Sequence, residues 1–150
     1  MIERYSRPEM GALWTDEHKF ATWLKVELAA CEAMAAAGLI PRRDWAAIRR
    51  KASFDVARIR RIEAEVRHDV IAFLTAVAER VGPAARHIHK GLTSSDVVDT
   101  ALAVNLVAAA DLLLAGVRNV RAAAAAQARK HAFTPMIGRS HGIHAEPTTF

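Results

Sequence analysis

Four stretches of this chain gather residues that could do chemistry. The longest is His87-Ile88-His89-Lys90-Gly91-Leu92-Thr93-Ser94-Ser95-Asp96-Val97-Val98-Asp99-Thr100, which opens as a polar loop and runs on, with no breaker, into an apolar helix. A hydroxyl at Thr93, Ser94 or Ser95 can cap that helix by accepting from an unpaired first-turn amide. Asp96 and Asp99 put negative charge where the helix macrodipole favours it, and Gly91 permits a turn that a β-carbon would resist. Free amides and hydroxyls at such a start bind a carboxylate or a phosphate. An ordinary capped helix carries the same residues.

The second stretch, Glu65-Val66-Arg67-His68-Asp69-Val70, packs three functional side chains at the start of an apolar run. If they converge on a pocket, Arg67 can bind an anion and His68 can donate to it. Asp69 would orient a group or accept a proton. The plainer alternative is a capping aspartate beside a surface Arg–His pair. The third stretch, Gly138-Arg139-Ser140-His141-Gly142-Ile143-His144-Ala145-Glu146-Pro147-Thr148-Thr149, reads as a glycine-bearing polar loop. Glu146-Pro147 there resembles the opening of a further helix, with proline at an early position. The fourth, Arg4-Tyr5-Ser6-Arg7, offers two guanidiniums, a phenol and a hydroxyl, a group able to hold a phosphate. A solvated basic tail has the same composition.

Metal chemistry is the weaker use of these histidines. His87-x-His89 and His141-x-x-His144 could each supply zinc ligands. No HExxH helix, cysteine pair or carboxylate ligand set accompanies them, so no metal is expected. The sequence also lacks a P-loop, a GxGxxG turn after a strand and a serine-hydrolase elbow.

These stretches need a scaffold, and the composition says which kind. The 150 residues suffice for one domain with a real core. Hydrophobic residues make up 52% and charged ones 25%, with only 7 Gly and 5 Pro, a helix-forming mixture with few places to turn. The single cysteine, Cys31, excludes an internal disulfide and suits a reducing cytoplasm. No signal peptide is visible, because Glu3, Arg4, Arg7 and Glu9 interrupt the first residues. The alanine run 122–126 is too short for a membrane span and is flanked by Arg121 and Arg129. The net charge of +5 admits nucleic acid, but the basic residues are spread thinly and an anionic small substrate explains them as well.

Taken in order, residues 1–14 read as an irregular arm with one short turn around Pro8–Leu13. Thr15 caps a long helix in which Phe20, Trp23, Leu24, Glu27, Leu28 and Cys31 follow helical spacing, and Gly38 and Pro41 close it. Asp44 starts a short helix through Lys51. Ser53 caps another, striped by Val56, Ile59, Ile62 and Val66. The run Val70–Val81 ends at Gly82-Pro83. From Ser95 to about His131 there is no proline, which predicts a helix roughly 55 Å long. Its stripe of Val97, Val98, Leu102, Leu106, Leu112, Leu113 and Val117 predicts a bundle helix that packs between subunits. The chain stops at Phe150 just as a further helix would begin, which reads as a fragment.

Together the four stretches change the weighing. The sequence resembles the adenylosuccinate lyase family of the fumarase/aspartase superfamily. The resemblance rests on RYSRPEM from Arg4, EVRHDV from Glu65, HKGLTSSDVVDT from His89 and GRSHGIHAEPTTF from Gly138. The TSSD stretch is shared across the superfamily, whereas the Arg4-Tyr5 arm and the SHGIHAEPTT segment are more specific. The resemblance implies an all-α, L-aspartase-like fold, with 1–93 a small N-terminal helical domain and 94–150 the start of a long-helix bundle.

It further implies a carbon–nitrogen lyase of purine biosynthesis. Such an enzyme eliminates fumarate from adenylosuccinate, giving AMP, and from succinylaminoimidazole carboxamide ribotide. It implies a cytoplasmic homotetramer with shared active sites, no cofactor or metal, and no nucleic-acid or membrane partner. By the same resemblance Arg4 and Tyr5 contact the phosphate end of the nucleotide, and Arg67, His68 and Asp69 line its site. Thr93 and Ser94 hold a succinyl carboxylate and His89 assists in that pocket. His141 is the general acid for the leaving nitrogen, a role suited to an imidazole, with His144 and Glu146 supporting it. The family's catalytic serine, on a loop of signature SSxMPxKxNP, does not occur in these residues, so residues 1–150 alone are expected to be inactive. Another superfamily lyase, or carboxymuconate cycloisomerase, shares the TSxD stretch. A non-catalytic helical assembly module would show the same apolar stripe.

Overall fold

Helical periodicity governs most of the chain. In the computed structural model, which describes residues 2–150, six α-helices occur among the described residues. They are α1 (Pro8–Ala12), α2 (Asp16–Ala36), α3 (Arg42–Lys51), α4 (Val56–Val66), α5 (Asp69–Val81) and α6 (Ser94–His131). Two strands follow, β1 (Pro135–Ser140) and β2 (Ile143–Thr149). The chain forms two compact units, Met1–Ala109 and Ala110–Phe150.

In the first unit the caps decide where helices begin. Thr15 accepts from His18 N at 3.2 Å and starts α2 as its sequence predicts. The start of α4 is corrected: Asp55, not Ser53, is its cap, accepting from Arg58 N at 2.6 Å. Ser53 instead turns its hydroxyl to Lys51 O. A carboxylate two residues nearer the helix outcompetes the hydroxyl for the free amide. Helix α3 begins at Arg42, two residues before Asp44, because Pro41 precedes it and its fixed φ leads into the first turn.

The core of this unit is aromatic. Phe20 and Phe73 stack with centroids 5.8 Å apart, and Trp23 meets both edge-on at 5.4 and 5.6 Å. These contacts join α2 to α5, and Ile48, Ile59, Val77 and Val97 complete the buried set around them. Cys31 is fully buried there, as expected of inert packing. Burial, with the negative charge of Glu27 adding to it, pushes its thiol up to about 11. The first part of α6 is tied to α2 by a polar link, in which His18 Nε2 and the Thr22 hydroxyl both meet Asn105 Oδ1, at 3.1 and 3.2 Å.

The 38 residues of α6 correspond to about 57 Å of helix. Within the first unit Val97, Ala101 and Ala109 are buried. Of the predicted stripe, Leu102, Leu106, Leu112, Leu113 and Val117 are exposed on this chain, between 39% and 63%.

The second unit holds a correction. Residues 138–149, read from sequence as a loop leading into a helix, belong to an antiparallel hairpin that begins at Pro135. Ser140 pairs with Ile143 across the two-residue turn His141-Gly142, whose φ angles of 49° and 79° are both left-handed. That is the turn whose twist matches a hairpin, and glycine at its second position suits it. Pro147 lies in β2 opposite Ile137 rather than in a first helical turn. Between the pairs Ile137–Pro147 and Arg139–His144, Ala145 and Glu146 face Gly138 alone, a β-bulge. A β-carbon on Gly138 would come within 3.1 Å of Glu146 O.

One ion cluster braces the segment after α5. Asp44, nearly buried at the start of α3, meets Arg86 Nη2 at 3.1 Å and His87 Nε2 at 3.0 Å. Burial pushes its carboxyl up, but the His87 hydrogen bond and the charges of Arg86 and Arg43 prevail and hold it below the ordinary carboxylate value. A depressed carboxylate stabilises the fold above its unfolded pKa and loses that contribution as pH falls through its folded one. The acid-side fall in melting temperature, near and below pH 3.8, is therefore expected to be shallower in Asp44→Asn than in the unmodified protein. Truncating the stacked core with Phe73→Ala is expected to cost about 3–5 kcal/mol in chemical denaturation. A loss below about 1 kcal/mol would remove the aromatic cluster as the centre of this unit.

Candidate functional site

The predicted residues of the first unit lie at three places, and the backbone explains each. At the α4–α5 junction the chain reverses through Arg67, a non-glycine residue at φ 57° whose amide closes α4 on Glu63 O. His68 then caps α5: its Nδ1 accepts from Ile71 N at 3.4 Å, a long and weak bond. An accepting Nδ1 places the proton of the neutral ring on Nε2. Asp69 accepts from Val70 N at 2.7 Å. Both side chains thus serve the first turn of α5, while the Arg67 side chain is exposed and His68 is 43% exposed. The expected alternative of a capping aspartate is half right, because the histidine supplies the cap.

The second place is the loop into α6. After Gly82, at φ 79°, a 3-10 turn spans Pro83–His87. His87 O accepts from the Cys31 thiol at 3.7 Å, and the His87 ring turns to Asp44. His89 turns elsewhere. Its backbone N–H donates to Glu27 Oε2 at 2.9 Å and its Nδ1 meets Glu27 Oε1 at 2.6 Å. Glu27 is only 1% exposed. His87 and His89 are therefore held by different carboxylates on different helices. Among the described residues, no group of three or more His, Cys, Asp or Glu is arranged to hold a metal ion.

Downstream, Gly91 takes φ 76° and α6 begins at Ser94. Its cap differs from the one expected. The Asp96 carboxylate reaches back to accept from Thr93 N at 2.8 Å, one half of a capping box. Thr93 is exposed and Ser94 half-buried at this helix start.

The third place is the arm. Arg4 and Tyr5 are exposed within a 3-10 turn, Glu3–Tyr5, and the Arg4 guanidinium lies 4.8 Å from the centre of the Tyr5 ring. A cavity of about 220 Å³ in this unit is lined by Trp14, Lys19, Trp23, Leu102 and Asn105 among others, and by none of the predicted site residues.

In the second unit His141 occupies the hairpin tip at φ 49°, exposed to solvent. Arg139 and His144 pair across the strands, and Glu146 belongs to the bulge. All three are exposed. The turn presents the His141 imidazole on a short, defined support rather than on a loose loop.

One backbone property unites these places. Among the described residues, the non-glycine positions with left-handed φ are Arg67, His89 and His141, each a predicted site residue. A left-handed conformation costs an L-residue about 1–2 kcal/mol, and such strain gathers where function fixes a side chain. Sequence reasoning missed Glu27 and Asp44 as the groups that orient this region. Glu27 did leave a signal, as the one charged residue at the helical spacing of Phe20, Trp23, Leu24, Leu28 and Cys31.

Comparison with known proteins bears on what these residues serve. The chain is 60% identical over all 150 residues to an adenylosuccinate lyase from Synechocystis sp.. It is 53% identical, again over all 150, to one from Bacillus subtilis. It spans 35% of the length of each of these curated relatives. Its fold matches the crystal structure of 3-carboxy-cis,cis-muconate lactonizing enzyme from Pseudomonas putida with a TM-score of 0.84 and 32% identity. That match covers 97% of this chain and 35% of the other. The family model described as Lyase matches residues 3–150, and the chain belongs to that lyase family.

Proposed function

We propose that the protein carrying this chain is an adenylosuccinate lyase. The observation that carries the reading is 60% identity, over every residue of the chain, to a relative of that name. The reaction is an elimination. A base removes a proton from the carbon beside a succinyl carboxylate, and the C–H electrons form the double bond of fumarate. The carbon–nitrogen bond breaks with its pair going to nitrogen, and an acid returns a proton there. The second substrate, succinylaminoimidazole carboxamide ribotide, presents the same bond. Acid–base side chains suffice for these steps, so no cofactor or metal is assigned.

In this reading His141 is the acid for the departing nitrogen, with His144 and Glu146 supporting its hairpin. Arg4 and Tyr5 bind at the phosphate end. Arg67, His68 and Asp69 line the nucleotide site, where the Nε2–H of His68 is available as a donor. Thr93 and Ser94 at the start of α6 hold a carboxylate, and His89 assists beside them. The base lies outside residues 1–150.

The assembly follows from α6. Leu102, Leu106, Leu113 and Val117 are exposed on this chain and need cover. Helix Ser94–His131 is long and apolar enough to cross a membrane by length and composition. Against lipid, a span would bury Asp111 within its apolar stretch, where a charged side chain is expensive. We assign the cover to other helices of a cytoplasmic homotetramer, with 1–93 an N-terminal domain, 94–150 opening the shared bundle, and no nucleic-acid partner.

The test is fumarate release from adenylosuccinate by the protein at the full length of its relatives. The unmodified protein is expected to turn over, and His141→Ala to lose about 10²- to 10⁴-fold in kcat. Retained turnover in the variant would remove His141 from proton transfer. A folded protein silent on adenylosuccinate but active on carboxymuconate would replace the reading with the cycloisomerase whose fold it shares.

A further inference from the structure

We propose that Glu27 is a positioning residue for His89, an inference that rests on the lyase reading above. Helix α2 carries Glu27 among its apolar residues, with only 1% of its surface exposed. Both carboxylate oxygens are committed to one residue, Oε2 to the His89 backbone N–H at 2.9 Å and Oε1 to its Nδ1 at 2.6 Å. A carboxylate only accepts, so Nδ1 carries a proton and Nε2 is the nitrogen left for a ligand. The ring is 19% exposed, so it is not sealed into the core with Glu27. The same two bonds hold the His89 backbone at φ 63°, which it would otherwise leave at little cost. Glu27 thus fixes the tautomer of His89, its ring plane and the entry into α6.

Glu27→Gln separates this role from bulk. The variant keeps the shape, but an amide presents one oxygen and one NH2 group to two donors. Its NH2 group pairs with Nδ1 only if the ring proton moves to Nε2, which alters the nitrogen facing the ligand. His89→Asn is the partner variant, since its amide N–H occupies the place of Nδ1–H and keeps Glu27 bonded while removing Nε2.

The experiment is a double-mutant cycle on the protein at the full length of its relatives, read as kcat/KM for fumarate release together with melting temperature. Glu27→Gln is expected to lose about 10- to 100-fold, the usual scale when an orienting partner is removed. In the His89→Asn background the same change is expected to cost less than about 2-fold, because the group it acts through is gone. Losses that multiply would show that Glu27 acts independently of His89 and would overturn the proposal. So would full activity in Glu27→Gln. Should Glu27→Gln fail to fold, Glu27→Asp, which cannot reach both donors, takes its place in the cycle with the same outcomes. If the unmodified protein, folded, releases no fumarate, the lyase reading itself fails and the role of Glu27 falls with it. A lyase-active protein with multiplying losses sinks only the role of Glu27.

Discussion

A carboxylate in an apolar core constrains everything around it. Stripping an ion of water costs several kcal/mol unless partners answer it, and Glu27 on α2 is answered by a residue 62 positions later. That one need dictates the course of the chain after α5. The segment must return to the middle of α2, offer two donors from one residue, and then leave in the direction of α6. His89 meets the first two demands, and its left-handed φ with that of Gly91 meets the third. Asp44 repeats the device on a smaller scale two residues earlier, with His87. The loop is short of regular structure yet has little freedom, because a different helix holds each histidine.

Long-range pairing is also what sequence reading could not supply. The helices were legible because apolar spacing and caps are local: Thr15, Gly82-Pro83 and the proline-free run after Ser95 mark ends that the structure keeps within a residue or so. Glu27 was visible as a charge in an apolar stripe, but nothing within α2 names His89. The start of α4 was misplaced because Ser53 and Asp55 are both competent caps and only geometry ranks them. Residues 138–149 misled for a different reason. Glu146-Pro147 is a sound local signal for a helix start, but proline also tolerates the rim of a two-stranded sheet. The decisive signal was His141-Gly142, a pair able to take left-handed φ twice in succession.

Each cluster does more than hold a candidate functional side chain. At the α4–α5 junction, His68 and Asp69 hold the first turn of the helix that carries Phe73, so the aromatic core and the polar surface share a hinge. Asp96 holds the Thr93 amide and so fixes the backbone from which the hydroxyls at the start of α6 project. In the hairpin, Gly138 admits the bulge, and the bulge sets which cross-strand neighbour Arg139 meets. Scaffold and chemistry are therefore hard to vary separately.

The left-handed trio gives that coupling an evolutionary edge. Glycine would occupy the backbone of Arg67, His89 or His141 without steric cost, and asparagine at less cost than most side chains. A population selected for heat resistance alone would drift toward those residues at Arg67 and His141, gaining stability as it discarded an arginine and an imidazole, whereas losing the His89 ring would leave the buried Glu27 carboxylate short of a partner. A library screened for stability and then for turnover would show the trade as opposite enrichments at those two codons.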